Sequence, residues 1–208
     1  MIINWYGEGC FKIQTGGLTL LTDPFEASVG LTPARGKNEI VLKTLTSWPL
    51  SEEKEPEETH LIRGSGNYEI KGIKINGWPL LKESSDKFFK TVYKVKAEEM
   101  DLVFLGHLSG SDLPAEAMSE LKDSHLLFIP AGGKPFINQE SATKLIKQLN
   151  PKIVVASFFK TPGLKRTSAD WKALADEIGQ KPEVVDHLTI KRKEVAEQKG
   201  TKLIVLKI

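Results

Sequence analysis

The stretch Ile3-Asn4-Trp5-Tyr6-Gly7-Glu8-Gly9-Cys10-Phe11-Lys12-Ile13-Gln14-Thr15-Gly16-Gly17-Leu18-Thr19-Leu20-Leu21-Thr22-Asp23-Pro24-Phe25 sets the reading of the whole chain. It holds three short runs rich in β-branched and aromatic residues, at 2–6, 10–15 and 18–22, cut apart by glycines. Gly16-Gly17 is a hairpin signal, because both turn positions favour positive φ. Asp23 before Pro24 reads as a turn residue whose carboxylate accepts backbone N–H groups.

Outward from that stretch, further strand-like runs fall at 40–42, 60–63, 68–76, 91–95 and 102–105. Residues 51–58, Ser-Glu-Glu-Lys-Glu-Pro-Glu-Glu, read as an acidic loop. The second half alternates strands and helices. A helix is predicted over 113–121 with Asp112 as N-cap and Pro114 in its first turn. Asn138 is placed to cap a helix in which Ala142, Leu145, Ile146 and Leu149 recur at helical spacing. Ser168 is placed to cap another, carrying Trp171, Leu174, Ala175 and Ile178 and ended by Gly179. Strands are predicted at 125–129, 153–156 and 203–208. The expectation is a single domain spanning residues 1–208, α/β (α+β) in class, with two mixed sheets and a few helices.

Composition narrows the function classes. The chain has 208 residues, 40% hydrophobic and 27% charged, ordinary for a globular protein. Lys plus Arg number 29 against 27 Asp plus Glu, a net charge of +2. That balance gives no electrostatic case for a nucleic-acid or membrane partner. The densest basic run, Lys191-Arg192-Lys193, is followed by Glu194 and reads as a solvated turn. Cys10 is the one cysteine, so no intramolecular disulfide forms and a reducing compartment is expected. The first residues lack a basic and apolar leader, and no apolar run approaches the ~20 residues of a membrane span. A cytoplasmic location is the expectation.

Five segments in collinear order resemble the metallo-β-lactamase superfamily, and within it a small bacterial and archaeal branch of ascorbate-6-phosphate lactonase-like metal-dependent hydrolases. They are residues 3–13; Leu20-Leu21-Thr22-Asp23-Pro24-Phe25; Gly64-Ser65-Gly66-Asn67-Tyr68-Glu69-Ile70-Lys71-Gly72-Ile73; Phe104-Leu105-Gly106-His107-Leu108-Ser109-Gly110; and Ile129-Pro130-Ala131-Gly132-Gly133. The resemblance implies an αββα sandwich, two mixed sheets with outer helices. It also implies a site in which histidines and aspartates hold one or two metals. Such metals polarise the substrate and lower the pKa of a bound water.

The ligands of that site are missing. The family's H-x-H-x-D-H loop follows a strand; here residues 40–43 lead into Thr44-Leu45-Thr46-Ser47-Trp48-Pro49-Leu50. By that resemblance Leu45, Ser47, Pro49 and Leu50 stand where His, His, Asp and His belong. His107 replaces the Asp of the "G-D" pair, Phe158 the late-strand His, and Glu8 the His of the first turn. Trp78-Pro79-Leu80-Leu81-Lys82-Glu83 replaces an "I-P-x-F-H-D" segment. The chain has four histidines, His60, His107, His125 and His187, and only His107 falls on a ligand position. A two-metal site needs about six to eight protein donors. No metal ligands and no cofactor are therefore assigned; zinc or another divalent ion belongs only to the alternative below.

The candidate site residues follow. His107 and Glu8 are the catalytic candidates, with two readings open: an acid–base pair, or a hydrogen-bonded filling of the vacated pocket. Asp23, Trp48, Lys82 and Phe158 are the cleft residues, and Trp48-Pro49 reads as pocket-filling. Lys160, Lys165 and Arg166 flank a loop at the expected rim, either meeting an anionic ligand or solvated. Cys10 reads as core rather than nucleophile. Gly64-x-Gly66 and Gly132-Gly133 read as tight turns, since neither opens a phosphate-binding helix.

The expectation is a hydrolase homologue without metal or hydrolysis, acting as a binding or interaction module for a small molecule or protein. The alternative is an active lactonase- or phosphodiesterase-type hydrolase with a displaced ligand set. The sequence assigns no oligomeric state.

Overall fold

Alternation along the first strands decides the layering. In the computed structural model, which describes residues 1–50 and 58–208, Leu20, Ile40, Leu42 and Ile62 face one buried side while Leu21, Val41 and Leu61 face the other. Period-two alternation sends neighbours to opposite faces of a sheet. The acidic segment 51–58 lies outside the described residues except for Glu58.

In chain order the strands are β1 (Ile2–Gly7), β2 (Cys10–Thr15), β3 (Leu18–Thr22), β4 (Ile40–Lys43), β5 (Leu45–Ser47), β6 (His60–Arg63), β7 (Gly66–Ile70), β8 (Ile73–Pro79), β9 (Phe88–Ala97) and β10 (Met100–Phe104). They continue with β11 (Leu126–Pro130), β12 (Ile153–Ser157), β13 (Glu183–Val185), β14 (Leu188–Thr189) and β15 (Lys202–Leu206). The α-helices are α1 (Ala115–Glu120), α2 (Gln139–Leu149), α3 (Lys172–Ile178) and α4 (Arg192–Glu197).

Two mixed sheets result, as the sequence leads one to expect. One runs β14-β1-β2-β3-β4-β6, antiparallel as far as β3 and parallel from there to β6. The other runs β13-β15-β12-β11-β10-β9-β8-β7, parallel from β13 to β10 and antiparallel beyond. Short β5 pairs with β9 instead of continuing beside β4. The chain thus passes from one sheet to the other at Thr44. Side chains of both sheets and of α2 and α3 share one core, including Ile13, Leu42, Val95, Phe128, Leu145 and Leu174. On the outer face of the first sheet, Cys10, Leu21 and Val41 are covered by Tyr6, Phe25, Ala34 and Leu61. Among the described residues no helix is long and apolar enough to cross a membrane.

Local signals worked where a side chain had one clear task. Gly16 and Gly17 take φ of 54° and 79° in the β2–β3 turn. The Asn138 carboxamide oxygen accepts the Ser141 N–H at 2.9 Å and starts α2, which buries Ala142, Leu145, Ile146 and Leu149. Gly179 ends α3 in the left-handed region at φ 74°.

Other boundaries differ. Asp112 does not cap α1; Pro114 takes the N-cap position, and Asp112 pairs with Lys82 on the surface. Ser168 does not cap α3. Its hydroxyl is buried without a partner among the described residues, and the Asp170 carboxylate, two residues on, accepts the Lys172 N–H instead. The run 68–76 is two strands, because Lys71 and Gly72 both turn at positive φ. Lys191-Arg192-Lys193 is not a turn: α4 begins there, with Glu194 accepting the Lys191 N–H.

These caps are separable by mutation. Asn138→Ala is expected to lower stability by about 1 kcal/mol, whereas Ser168→Ala does not lower it. Urea unfolding of the two variants beside the wild type checks both outcomes.

Candidate functional site

Loops from both sheets meet at one edge of the sandwich around a cleft of about 530 Å³. Its walls include Glu8 from the β1–β2 turn, Asp23 just after β3, Leu45 at the start of β5, His107 after β10, Phe158 after β12, and Arg166. The lining is mostly carbon.

Its polar centre is a chain of three side chains. Thr44 donates its backbone N–H to Asp23 Oδ1 at 2.7 Å and its hydroxyl to Asp23 Oδ2 at 2.6 Å. The same Thr44 Oγ1 lies 2.8 Å from His107 Nδ1. Thr44 is 1% exposed. Position explains its reach: its C=O accepts from Thr91 on β9 while its N–H serves Asp23 at the end of β3. The close approach depends on Gly106, at φ 50°, where an added Cβ would lie 2.0 Å from Thr44 Oγ1. Burial pushes the Asp23 carboxyl up, against the opposing pull of His107 and the two Thr44 hydrogen bonds. Burial pushes the His107 imidazole down, aided by the positive charges of Lys90 and Arg166 and opposed by Asp23 and Glu8. The imidazole is thus held neutral near pH 7.

A second cluster locks the wall holding Phe158. Arg166 grips Glu8 with two hydrogen bonds, Nε to Oε1 at 3.0 Å and Nη2 to Oε2 at 2.7 Å. Nη2 also donates to the Phe158 carbonyl at 3.0 Å, and Phe158 N–H donates to the Glu8 carbonyl. Phe158 sits at φ 52°, a conformation a bulky residue rarely adopts. Its ring packs on Gly9, where an added Cβ would lie 2.5 Å from it. A third cluster fixes the loop after His107. Burial alone would raise the Glu83 carboxyl. Hydrogen bonds from the Ser109 hydroxyl and N–H, the Gly110 N–H and Lys90 outweigh it and hold the carboxyl below its usual range.

Of the residues singled out in the sequence, Glu8, Asp23, His107 and Phe158 converge on this cleft. Glu8 and His107 do not form the expected pair: Glu8 is taken by Arg166, and His107 by Thr44. Trp48 does not fill the pocket. It is 54% exposed, edge-on to Phe89, and the cleft stays open. Lys82 is also outside the lining, 82% exposed and paired with Asp112. Cys10 is buried in the outer layer with its thiol pushed up to about 12, chiefly by burial, so it is no nucleophile. His125 accepts the Asp101 N–H at a strand start, away from the cleft.

Thr44 was not legible as a site residue, because attention falls on the loop positions after it. Its signal is position: it is the first residue after β4, where the chain must leave the sheet. Arg166, a rim cation by sequence, reaches the cleft wall, and Leu45 enters the cleft at a position where the resemblance places a histidine.

Most polar atoms of the cleft that could meet a metal already have partners. Both Asp23 oxygens and His107 Nδ1 are already held by Thr44, and the Glu8 oxygens by Arg166. Among the described residues no group of three or more His, Cys, Asp and Glu is placed to hold a metal ion.

The two mixed sheets and the cleft at their joined edge define a metallo-β-lactamase-type sandwich. The chain belongs to the beta-lactamase superfamily: the profile of the Beta-lactamase superfamily domain matches residues 2–157. The chain is similar in structure to a presumed Zn-dependent hydrolase of the metallo-beta-lactamase superfamily from Thermotoga maritima, with TM-score 0.79, 23% identity, and coverage of 99% of this chain and 98% of that one. It is also similar to Igni18, a metallo hydrolase from Ignicoccus hospitalis, at TM-score 0.61 and 15% identity over 99% and 94% of the two chains. The metallo-beta-lactamase fold protein YhfI from Bacillus subtilis matches at TM-score 0.58 and 11% identity over 99% and 96%. At these identities the likeness is one of fold. No curated protein matches the sequence.

The bridging hydroxyl carries a testable consequence. Thr44→Val keeps the side-chain size but leaves Asp23 Oδ2 and His107 Nδ1 without their partner. The expected loss of stability is about 1–3 kcal/mol, the cost of an unsatisfied buried polar group, read by chemical denaturation at pH 7.

Proposed function

We propose that this protein is a metal-free, non-hydrolytic member of the superfamily that uses the cleft to bind a small molecule. The observation that carries this reading is the Thr44 hydroxyl, held within hydrogen-bonding distance of both Asp23 and His107. A metal bound through Asp23 would have to compete with the Thr44 hydrogen bonds of 2.7 and 2.6 Å to its two oxygens. Leu45 and Phe158 at expected ligand positions support the same reading, since neither side chain offers a donor. The cleft volume lies within the about 300–1,000 Å³ usual for small-molecule sites. Near-neutral net charge fits a small-molecule partner better than a nucleic acid. A single, deeply buried thiol fits a cytoplasmic protein.

Elemental analysis of protein purified without chelator tests the reading. Less than about a tenth of an equivalent of zinc, manganese or iron is expected, with no chelator-sensitive turnover of lactone, phosphodiester or ester substrates. A stoichiometric metal with such turnover contradicts it and establishes a hydrolase with a displaced ligand set.

A further inference from the structure

The hydrogen-bond chain through Thr44 has a direction, and that direction selects a ligand. The Thr44 hydroxyl has one proton. It goes to Asp23 Oδ2 at 2.6 Å, while Oδ1 takes the Thr44 N–H at 2.7 Å. Two short contacts, one to each oxygen, fit an ionised carboxylate accepting at both ends. With Asp23 ionised, the Thr44 proton is committed to it, and Thr44 Oγ1 accepts from His107 Nδ1 at 2.8 Å. A neutral imidazole with its proton on Nδ1 has a bare lone pair on Nε2. Nε2 has no hydrogen-bond partner among the described residues, and the ring lines the cleft.

The surroundings of that lone pair are aromatic. Phe158 and Phe136 meet the imidazole edge-on at 4.8 and 5.8 Å between ring centres, and they pack on each other at 4.3 Å. Leu45, Phe88, Phe25 and Val29 add to the apolar lining. Of the three cations in the lining, Arg166 and Lys90 each face a carboxylate, Glu8 and Glu83, and the Lys43 charge acts on Asp23. Each of these cations thus has a carboxylate beside it to offset its charge.

We propose that the cleft takes a flat, mostly apolar, uncharged molecule bearing one acidic O–H, a phenol-type ligand that donates its hydrogen bond to His107 Nε2. This rests on the metal-free reading above, since a metal at the site would compete for the same lone pair. Asp23 and Thr44 are positioning residues here: they fix which imidazole nitrogen carries the proton. The aromatic side chains supply the contact area and leave His107 as the point of polar recognition.

Three probes separate the possibilities: 2-naphthol, its methyl ether 2-methoxynaphthalene, and 2-naphthoate, titrated calorimetrically into the full-length wild-type protein at pH 7. The ether has the same rings and an acceptor but no proton to donate. The expected result is binding of 2-naphthol with at least about tenfold preference over both others, the size of one well-placed hydrogen bond. His107→Phe is expected to bind the naphthol and its ether equally. Equal binding of naphthol and ether by the wild type, preference for naphthoate, or binding of no probe overturns the proposal. The wild-type comparison decides the matter even where His107→Phe fails to fold. The metal-free reading stands or falls separately, on elemental analysis of the same preparation.

Discussion

The Thr44 hydroxyl joins a buried carboxylate to a buried imidazole at the point where the chain crosses between sheets. Those three side chains come from the end of β3, the β4–β5 crossover and the loop after β10. A carboxylate withdrawn from water is costly unless its oxygens are satisfied. Here one residue satisfies both oxygens, through backbone and side chain. The same oxygen then meets His107, so the two sheets are tied by hydrogen bonds at the open edge where their apolar core ends. Gly106 is the corollary. A side chain there would overlap Thr44, and the loop that delivers His107 would have to move.

Around that centre the charged groups are balanced locally. Arg166 faces Glu8, and Lys90 faces Glu83. Each pair also takes backbone groups into its network, which is how a partly buried ion pair comes to hold a loop rather than merely neutralise itself. The Arg166 network holds Phe158 in a left-handed conformation, a strain of about 1–3 kcal/mol for a non-glycine residue. That strain places an aromatic ring over Gly9 and against His107. The ring thereby forms part of the wall of a largely apolar cleft that also holds His107, Asp23 and Glu8. Fold alone does not dictate the chemistry that a site performs.

The sandwich was legible in the sequence because its signals are local and periodic. Gly16-Gly17, the alternation in β3 and β4, and the spacing of Ala142, Leu145, Ile146 and Leu149 each carry their own geometry. That Leu45 and Phe158 stand where the resemblance places histidines was legible too, because side-chain identity needs no structure to be read. Partnerships were not. Glu8 and His107 share the cleft, yet which carboxylate meets the imidazole depends on Thr44 and Arg166, the latter 158 residues along the chain from Glu8. Trp48 and Lys82 flank cleft elements in sequence, but both side chains point into solvent. Sequence proximity to a site does not fix the face on which a side chain emerges. Ser168 and Asp112 failed as caps for a related reason. Several residues near each helix start offered a suitable oxygen, and the backbone selected among them.

The most direct test of a hydroxyl standing in for a metal is the ring ¹⁵N spectrum of His107, assigned by its disappearance in His107→Phe. With Thr44 placed as described, Nδ1 carries the proton, Nε2 is bare at pH 7, and one equivalent of zinc leaves both signals in place. A proton on Nε2, or a His107 signal displaced by zinc, would contradict the account.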